Sequence, residues 1–534
     1  MDRKDAVVLV IIVITTYLFV FSIPPRDFPL SDDYAYYSEV KTFLVEGKFR
    51  MHHSATATSI IQILIGSVAA SLLGLSHKTL MFTTMLLSAI PIAFAYIWFR
   101  IWTSRQLAAL GSFAMLANPA YYYLSHTFMT DVYSLVFMVP SLLFLFKGAH
   151  DGKDAHIATG VTLALVGFWV RQYSILLIGG VILWYVYKLI FEKKNEFTFK
   201  RVTMLLVVPA INLAVWWYLF PLLHDLEHKC AYVMGLGGWI PKNMLQALLF
   251  TGYFLFPLGI AYLADHKALF KDFLSLKKYL KFFLIVVFAV LVSFMVLRTV
   301  YGLGNLWVPA MPFAYATANP TGVGATPLAG SKPYFFPTWL WLPICFLSVI
   351  TAFGLVVQTL RNSSNPKTLM LLAFIFSVIV PQTFYGNFFD RYYLIAVPLV
   401  LPIVLTSTKN YKFTKVGLIL TIVILGAWSW YGVYDNFSWN SARWEGIEYL
   451  LSMGVPEESI DGGMEYNARF FEGCNNINVK PVRWYGWSYS LSDEYIVSFS
   501  PLEDYDVLRE ISYSGPFGEK LGSIYVLKKP LKTP

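Results

Sequence analysis

A chain of 534 residues with 57% hydrophobic and 14% charged side chains has too little polar surface to fold as a water-covered body; soluble domains carry roughly 45–50% apolar and about 25% charged residues. A mean hydropathy of +0.57 excludes a single soluble core and leaves a bilayer to cover the excess. The net charge of +9 does not mark a nucleic-acid binder, because Lys and Arg sit in short loops between apolar runs and form no continuous basic face.

The first apolar run, residues 6–23, follows Asp2-Arg3-Lys4-Asp5 and leads into Ile23-Pro24-Pro25-Arg26. No small-residue cleavage site is present there, so the run reads as a retained span and not as a signal peptide. Further spans are predicted at 79–99, 106–123, 132–147, 155–170, 172–191, 202–222, 244–264, 281–300, 337–360, 368–386, 388–406 and 414–434, about thirteen transmembrane helices in all. Residues 56–75 are apolar too, but Thr56, Thr58, Ser59, Gln62, Ser67 and Ser71 are costly in lipid. That run is predicted to lie at the interface or against the bundle.

With 56–75 not crossing, the Lys-rich loops around Arg100, Lys147, Lys193, Lys271, Arg361 and Lys409 share the N-terminal side, which is then cytoplasmic. The loops 24–78, 124–131, 223–243 and 301–336 fall on the outer side. The division expected is a membrane domain over 1–435, including the extracytoplasmic loop 24–78 with its interfacial helices, and an extracytoplasmic domain over 436–534. In the latter, 441–453 reads as an amphipathic helix carrying Trp444, Ile447 and Leu451 on one face. Residues 495–500, 505–513 and 522–528 read as strands, giving a small α/β module. Cys345 lies in an apolar run, leaving Cys230 and Cys474 as either a disulfide pair or free thiols.

The outer face gathers the chemistry-bearing residues. Ser31-Asp32-Asp33 follows the first span; Ser31 suits an N-cap with both acids in the first turn, and the same helix start would fix a carboxylate in space. Asp131 opens a later span after Asn118-Pro119 and Ser125-His126-Thr127. A cap explains either site alone, but two acids on one face exceed what caps require. Basic candidates for an anion are Lys48, His53, Arg171, Lys332 and Arg391, although Asp390 could instead hold Arg391 as a structural pair. His53 with Asp32 and Asp33 is a loosely spaced candidate site for a divalent metal, the one cofactor considered. There is no Walker-type loop, no dinucleotide fingerprint and no cytoplasmic loop large enough to fold around a nucleotide sugar.

The acidic pair, the interfacial run, the stretch Asn118-Pro119 to Ser125-His126-Thr127-Phe128-Met129-Thr130-Asp131, and Arg391-Tyr392-Tyr393-Leu394 with Pro398 and Pro402 resemble GT-C glycosyltransferases. The closest branches in the resemblance are the protein O-mannosyltransferase-like enzymes and the lipid A aminoarabinose transferases. The stretch Arg443-Trp444-Glu445-Gly446-Ile447 through Asp461-Gly462-Gly463-Met464-Glu465-Tyr466-Asn467 resembles an outer domain of some prokaryotic members. The resemblance implies a GT-C-like helical membrane protein that moves a sugar, with inversion, from a polyprenyl-phosphate-linked donor to a hydroxyl of a protein, lipid or glycan on the outer face. It implies Asp32 as base, with Asp33 and Asp131 as further acidic positions. The rival reading is a lipid-linked sugar flippase or transporter, which would bind at the midplane with broken helices or repeated halves. No internal repeat is present.

Overall fold

The computed structural model describes residues 2–52, 55, 57–223, 240–301, 317–384, 389–407, 412–470, 483–484, 489–490 and 492–530. Helices stand at each expected span. Their apolar side chains can be exposed to lipid, and a helix satisfies every backbone amide within itself. Among the described residues six helices are individually long and apolar enough to cross a bilayer: His77–Arg100, Thr130–Asp151, Gln172–Phe191, Phe199–Leu223, Trp339–Ser364 and Thr414–Ser452. The pair Asn243–Tyr253 and Leu258–Ala264, bent by 84° at Phe254-Leu255-Phe256-Pro257, raises this to seven if taken as one span. Of the remaining expected spans, Lys278–Tyr301 is a helix of 24 residues, the first helix carries Arg3, Lys4 and Asp5, and the others are short. The run at 106–123 is broken into Arg105–Leu116 and Pro119–Ser125. At that break the Asn118 side chain accepts from the amides of Ala120 and Tyr121, and Pro119 takes the first helical position. Within 56–75 the helix is Ile60–Leu73, 14 residues long and short of a span.

Opposite ends of the bundle carry different charge sets. At one end Asp5 accepts from Tyr96 (2.7 Å), Arg100 (2.8 Å) and Arg105 (3.0 Å), which closes the first helix against its neighbours. The other end carries the C-terminal domain.

The junction expected at 435/436 is not a break. Thr414–Ser452 is one helix of 39 residues, roughly 58 Å long at about 1.5 Å per residue, against about 30 Å of hydrocarbon. Its first half belongs to the bundle, and its last turns are the amphipathic helix expected at 441–453. Those turns bury Trp439, Ile447 and Leu450 against Val497, Ile511, Ile524 and Val526 of a four-stranded sheet. The sheet order is Ile460–Asp461, Tyr495–Ser498, Lys520–Lys528, Asp506–Ser514, with the first pair parallel and the others antiparallel. Residues 317–331 lace this domain to the bundle. Thr317 donates from its amide to Asp390 (2.6 Å), and the Ala329 carbonyl accepts from the Phe499 amide (2.9 Å). Cys345 is buried with a free thiol; Cys230 and Cys474 lie outside the described residues.

Candidate functional site

Asp32, and not Ser31, holds the N-cap position of the helix Asp33–Glu46, and its side chain makes no capping bond. Ser31 sits in the left-handed region at φ 57°, a conformation a cap does not use. The Asp32 carboxylate turns instead to Arg391, whose Nη2 donates to Oδ2 at 2.8 Å. The pair is 31% and 13% exposed at the side chains, so a second molecule can reach the carboxylate. Asp33 faces the other way. Fully buried, it accepts from the amides of Leu30 (2.6 Å) and Phe128 (3.4 Å). Burial pushes its carboxyl well above the usual range, with the two amides only partly offsetting this.

That contact with Phe128 joins the two acidic loops. His126 faces the carbonyls of Tyr122 and Val20 (2.8 and 2.9 Å), and Gln62 of the interfacial helix donates to the Phe128 carbonyl (2.7 Å). The stretch before Asp131 is thus sewn to the end of the first helix and to Ile60–Leu73. Asp131 follows in the first turn of Thr130–Asp151, where a carboxylate meets the positive end of the helix dipole. Its Oδ1 accepts from Arg171 at 2.5 Å, both side chains being buried, while Oδ2 has no partner among the described residues.

Tyr392 couples the two ion pairs. The Arg171 guanidinium lies 4.5 Å from its ring centre and that of Arg391 5.7 Å. Arg391 is attracted by Asp131 as well as by Asp32. Its buried Nε has no partner among the described residues, an oriented N–H for an incoming acceptor. Asp390 does not hold the guanidinium. It takes the Arg391 amide (2.7 Å) and the Thr317 hydroxyl (2.9 Å), so it fixes the backbone from which Arg391 reaches Asp32.

Two expected anion binders stand apart from this group. Lys332 is given over to Asp435 (2.5 Å) and to the Thr321 carbonyl (2.6 Å), 4% exposed at the side chain, so its charge is spent inside the junction between bundle and C-terminal domain. Lys48 lies exposed just past the Gly47 cap and has no ion pair among the described residues. His53 lies outside the described residues. Of the acids in the metal reading, Asp33 gives its oxygens to amides and Asp32 faces a guanidinium; no group of three His, Cys, Asp or Glu gathers among the described residues, which do not include His53. Two acids of this region escaped a reading by spacing. Glu39 is buried between Ser59 and the His52 amide, and Glu465 reaches Ser31 from the C-terminal domain. Helical phase with Asp32 could have signalled the first; nothing local signals the second.

No protein-family model and no curated protein matches the sequence. Among solved structures the chain is similar to ArnT from Cupriavidus metallidurans bound to undecaprenyl phosphate, at 11% identity and a TM-score of 0.43, covering 99% of this chain and 98% of that one. It is similar to the Archaeoglobus fulgidus oligosaccharyltransferase in its apo form at 13% identity and a TM-score of 0.45, covering 82% and 58%. It is also similar to the S. cerevisiae protein O-mannosyltransferase Pmt1–Pmt2 complex bound to the sugar donor, at 13% identity and a TM-score of 0.36, covering 42% and 34%. The match takes in less than two thirds of the archaeal and yeast chains.

Proposed function

We propose that this chain is a membrane glycosyltransferase that moves a sugar from a polyprenyl-phosphate-linked donor to an acceptor hydroxyl on a protein, lipid or glycan at the outer face. The observation that carries the reading is the Asp32–Arg391 pair, a partly exposed carboxylate held by a guanidinium whose Nε–H is unpartnered among the described residues. The motif resemblance of the sequence points to the same chemistry.

A donor phosphate arriving at Arg391 competes with Asp32 for the guanidinium, because Arg matches phosphate oxygens with paired donors. Asp32 is thereby freed to take the proton of the acceptor hydroxyl. The hydroxyl oxygen forms the new bond to the anomeric carbon as the bond to the phosphate oxygen breaks. The electron pair leaves with the phosphate, whose charge Arg391 meets, with Arg171 behind Tyr392 adding to the positive potential. A single displacement with one base inverts the anomeric centre. Asp131 Oδ2, buried without a partner among the described residues, is an acceptor available to a donor or acceptor hydroxyl. The carrier's apolar tail explains a site among membrane helices, and the activated donor removes any need for a nucleotide. The Lys-rich loops support a multi-pass plasma-membrane protein with a cytoplasmic N-terminus and the C-terminal domain outside.

Asp32→Asn is expected to lower transfer in lipid-reconstituted protein by about 10²–10⁴-fold, the usual range of general-base help, while insertion and folding persist. Full turnover by that variant would refute the assignment. The 84° bend between Asn243–Tyr253 and Leu258–Ala264 favours a second reading as a lipid-linked sugar transporter, since transporters use interrupted helices. Movement of an intact lipid-linked sugar across vesicles without release of its sugar would establish that reading instead.

A further inference from the structure

Ser31 and Glu465 are 434 positions apart, yet the Ser31 amide donates to Glu465 Oε1 at 2.9 Å. The other oxygen of the same carboxylate accepts from Arg443 Nη1 at 2.9 Å, with side-chain exposures of 0% for Arg443 and 3% for Glu465. Arg443 is fixed in turn. Its Nε donates to the Gly462 carbonyl (2.8 Å) and its Nη1 to Asn440 Oδ1 (3.2 Å), on the long helix that rises from the bundle. Glu465 therefore hangs from a rigid element by one oxygen and holds the acidic loop by the other.

The residue it holds precedes Asp32 and is in the left-handed region, a backbone state that a serine keeps only when its surroundings over-determine it. Burying an ion pair gives little net stability over an apolar pair of the same size. The contact to Ser31 gives this one a use.

We propose that Glu465 is a positioning residue: the outer domain sets the direction of the Asp32 carboxylate through the Ser31 backbone, so that turnover depends on that domain being docked. The inference rests on Asp32 acting as the base. Removing Glu465 alone would strand the Arg443 charge, so the test compares two paired variants that both discharge the site. Arg443→Met with Glu465→Gln keeps an oxygen facing the Ser31 amide; Arg443→Met with Glu465→Leu does not.

The Leu pair is expected to fall below the Gln pair in kcat on the order of 10²-fold, the scale of a roughly 1 Å misplacement, with the KM for the lipid donor the same in both. Equal kcat in the two pairs would overturn the proposal. Amide exchange at Ser31 in the wild-type protein in lipid nanodiscs gives a reading that needs no variant to fold. Protection is expected, and exchange as fast as in an open loop would equally overturn it. Turnover by Asp32→Asn would remove the base reading and leave this amide protection as it was, so the two failures can be told apart.

Discussion

Asp131 and Arg171 show how much depends on single charges in this protein. Both are buried, and one carboxylate oxygen is already without a partner among the described residues. Arg171→Met would leave the carboxylate with neither oxygen paired, and a stranded buried charge costs about 3–5 kcal/mol. The double variant Asp131→Asn with Arg171→Met, which removes both charges, is expected to unfold closer to the wild-type temperature in detergent than the single one. Arg391→Lys is a different case. The point charge persists, but Nε and the flat fork are lost, so the donor's KM should rise several-fold while Asp32 still finds an ammonium. Steady-state kinetics with varied donor reads this directly. These acids and arginines could be found in the sequence because each stands at the end of an apolar run, where a charge needs a reason. Lys332 looked the same and was not. Its partner Asp435 is 103 positions away, and spacing carries no information about such a meeting.

Elements were legible where the bilayer selects them, and less so where a helix stops or continues. Pro119 broke a run that hydropathy alone joins, while the polar turns between 434 and 441 kept a helix that polarity alone would end. Asp435, Asn436 and Asn440 stay helical there because Lys332, the Val323 carbonyl and the Asn436 carbonyl answer their polar groups. The interfacial helix Ile60–Leu73 has its own fastening. Glu39 accepts from the Ser59 hydroxyl (2.8 Å) and the His52 amide (2.9 Å), tying it to Asp33–Glu46. Burial raises the Glu39 carboxyl to about 8, the two hydrogen bonds opposing the shift. The folded state then holds a proton that the unfolded chain has released, so this group's contribution is complete below about pH 4.5 and is lost as pH rises through 8. The unfolding temperature should fall between pH 5 and 8.5, and Glu39→Gln should flatten the fall. A slope unchanged in that variant would show that another group titrates.

At the scale of the molecule, two different solvents stabilise two halves, and the site lies where they meet. Lipid covers the bundle, whereas the C-terminal domain depends on its own small core and on threads to the bundle, one through Glu465 and one through residues 317–331. The sequence shows both halves but neither thread, because a contact between distant loops leaves no periodicity. Gly330 is the weak stitch of the second thread. Its φ of 77° suits glycine, and a Cβ there would lie 2.6 Å from the hydroxyls of Ser498 and Ser500 and 2.8 Å from the Ser500 amide. Gly330→Val should therefore pull this segment from the sheet edge that Ala329 joins. Because the same segment ends on Asp390, beside Arg391, loosening it should disturb the phosphate side of the site without touching the helices in lipid. The expected outcome is normal membrane insertion, faster cleavage of the outer domain by a dilute protease, and a higher KM for the lipid-linked donor. Faster cleavage with donor KM unchanged would separate the domain's stability from the site and break the link between Asp390 and Arg391.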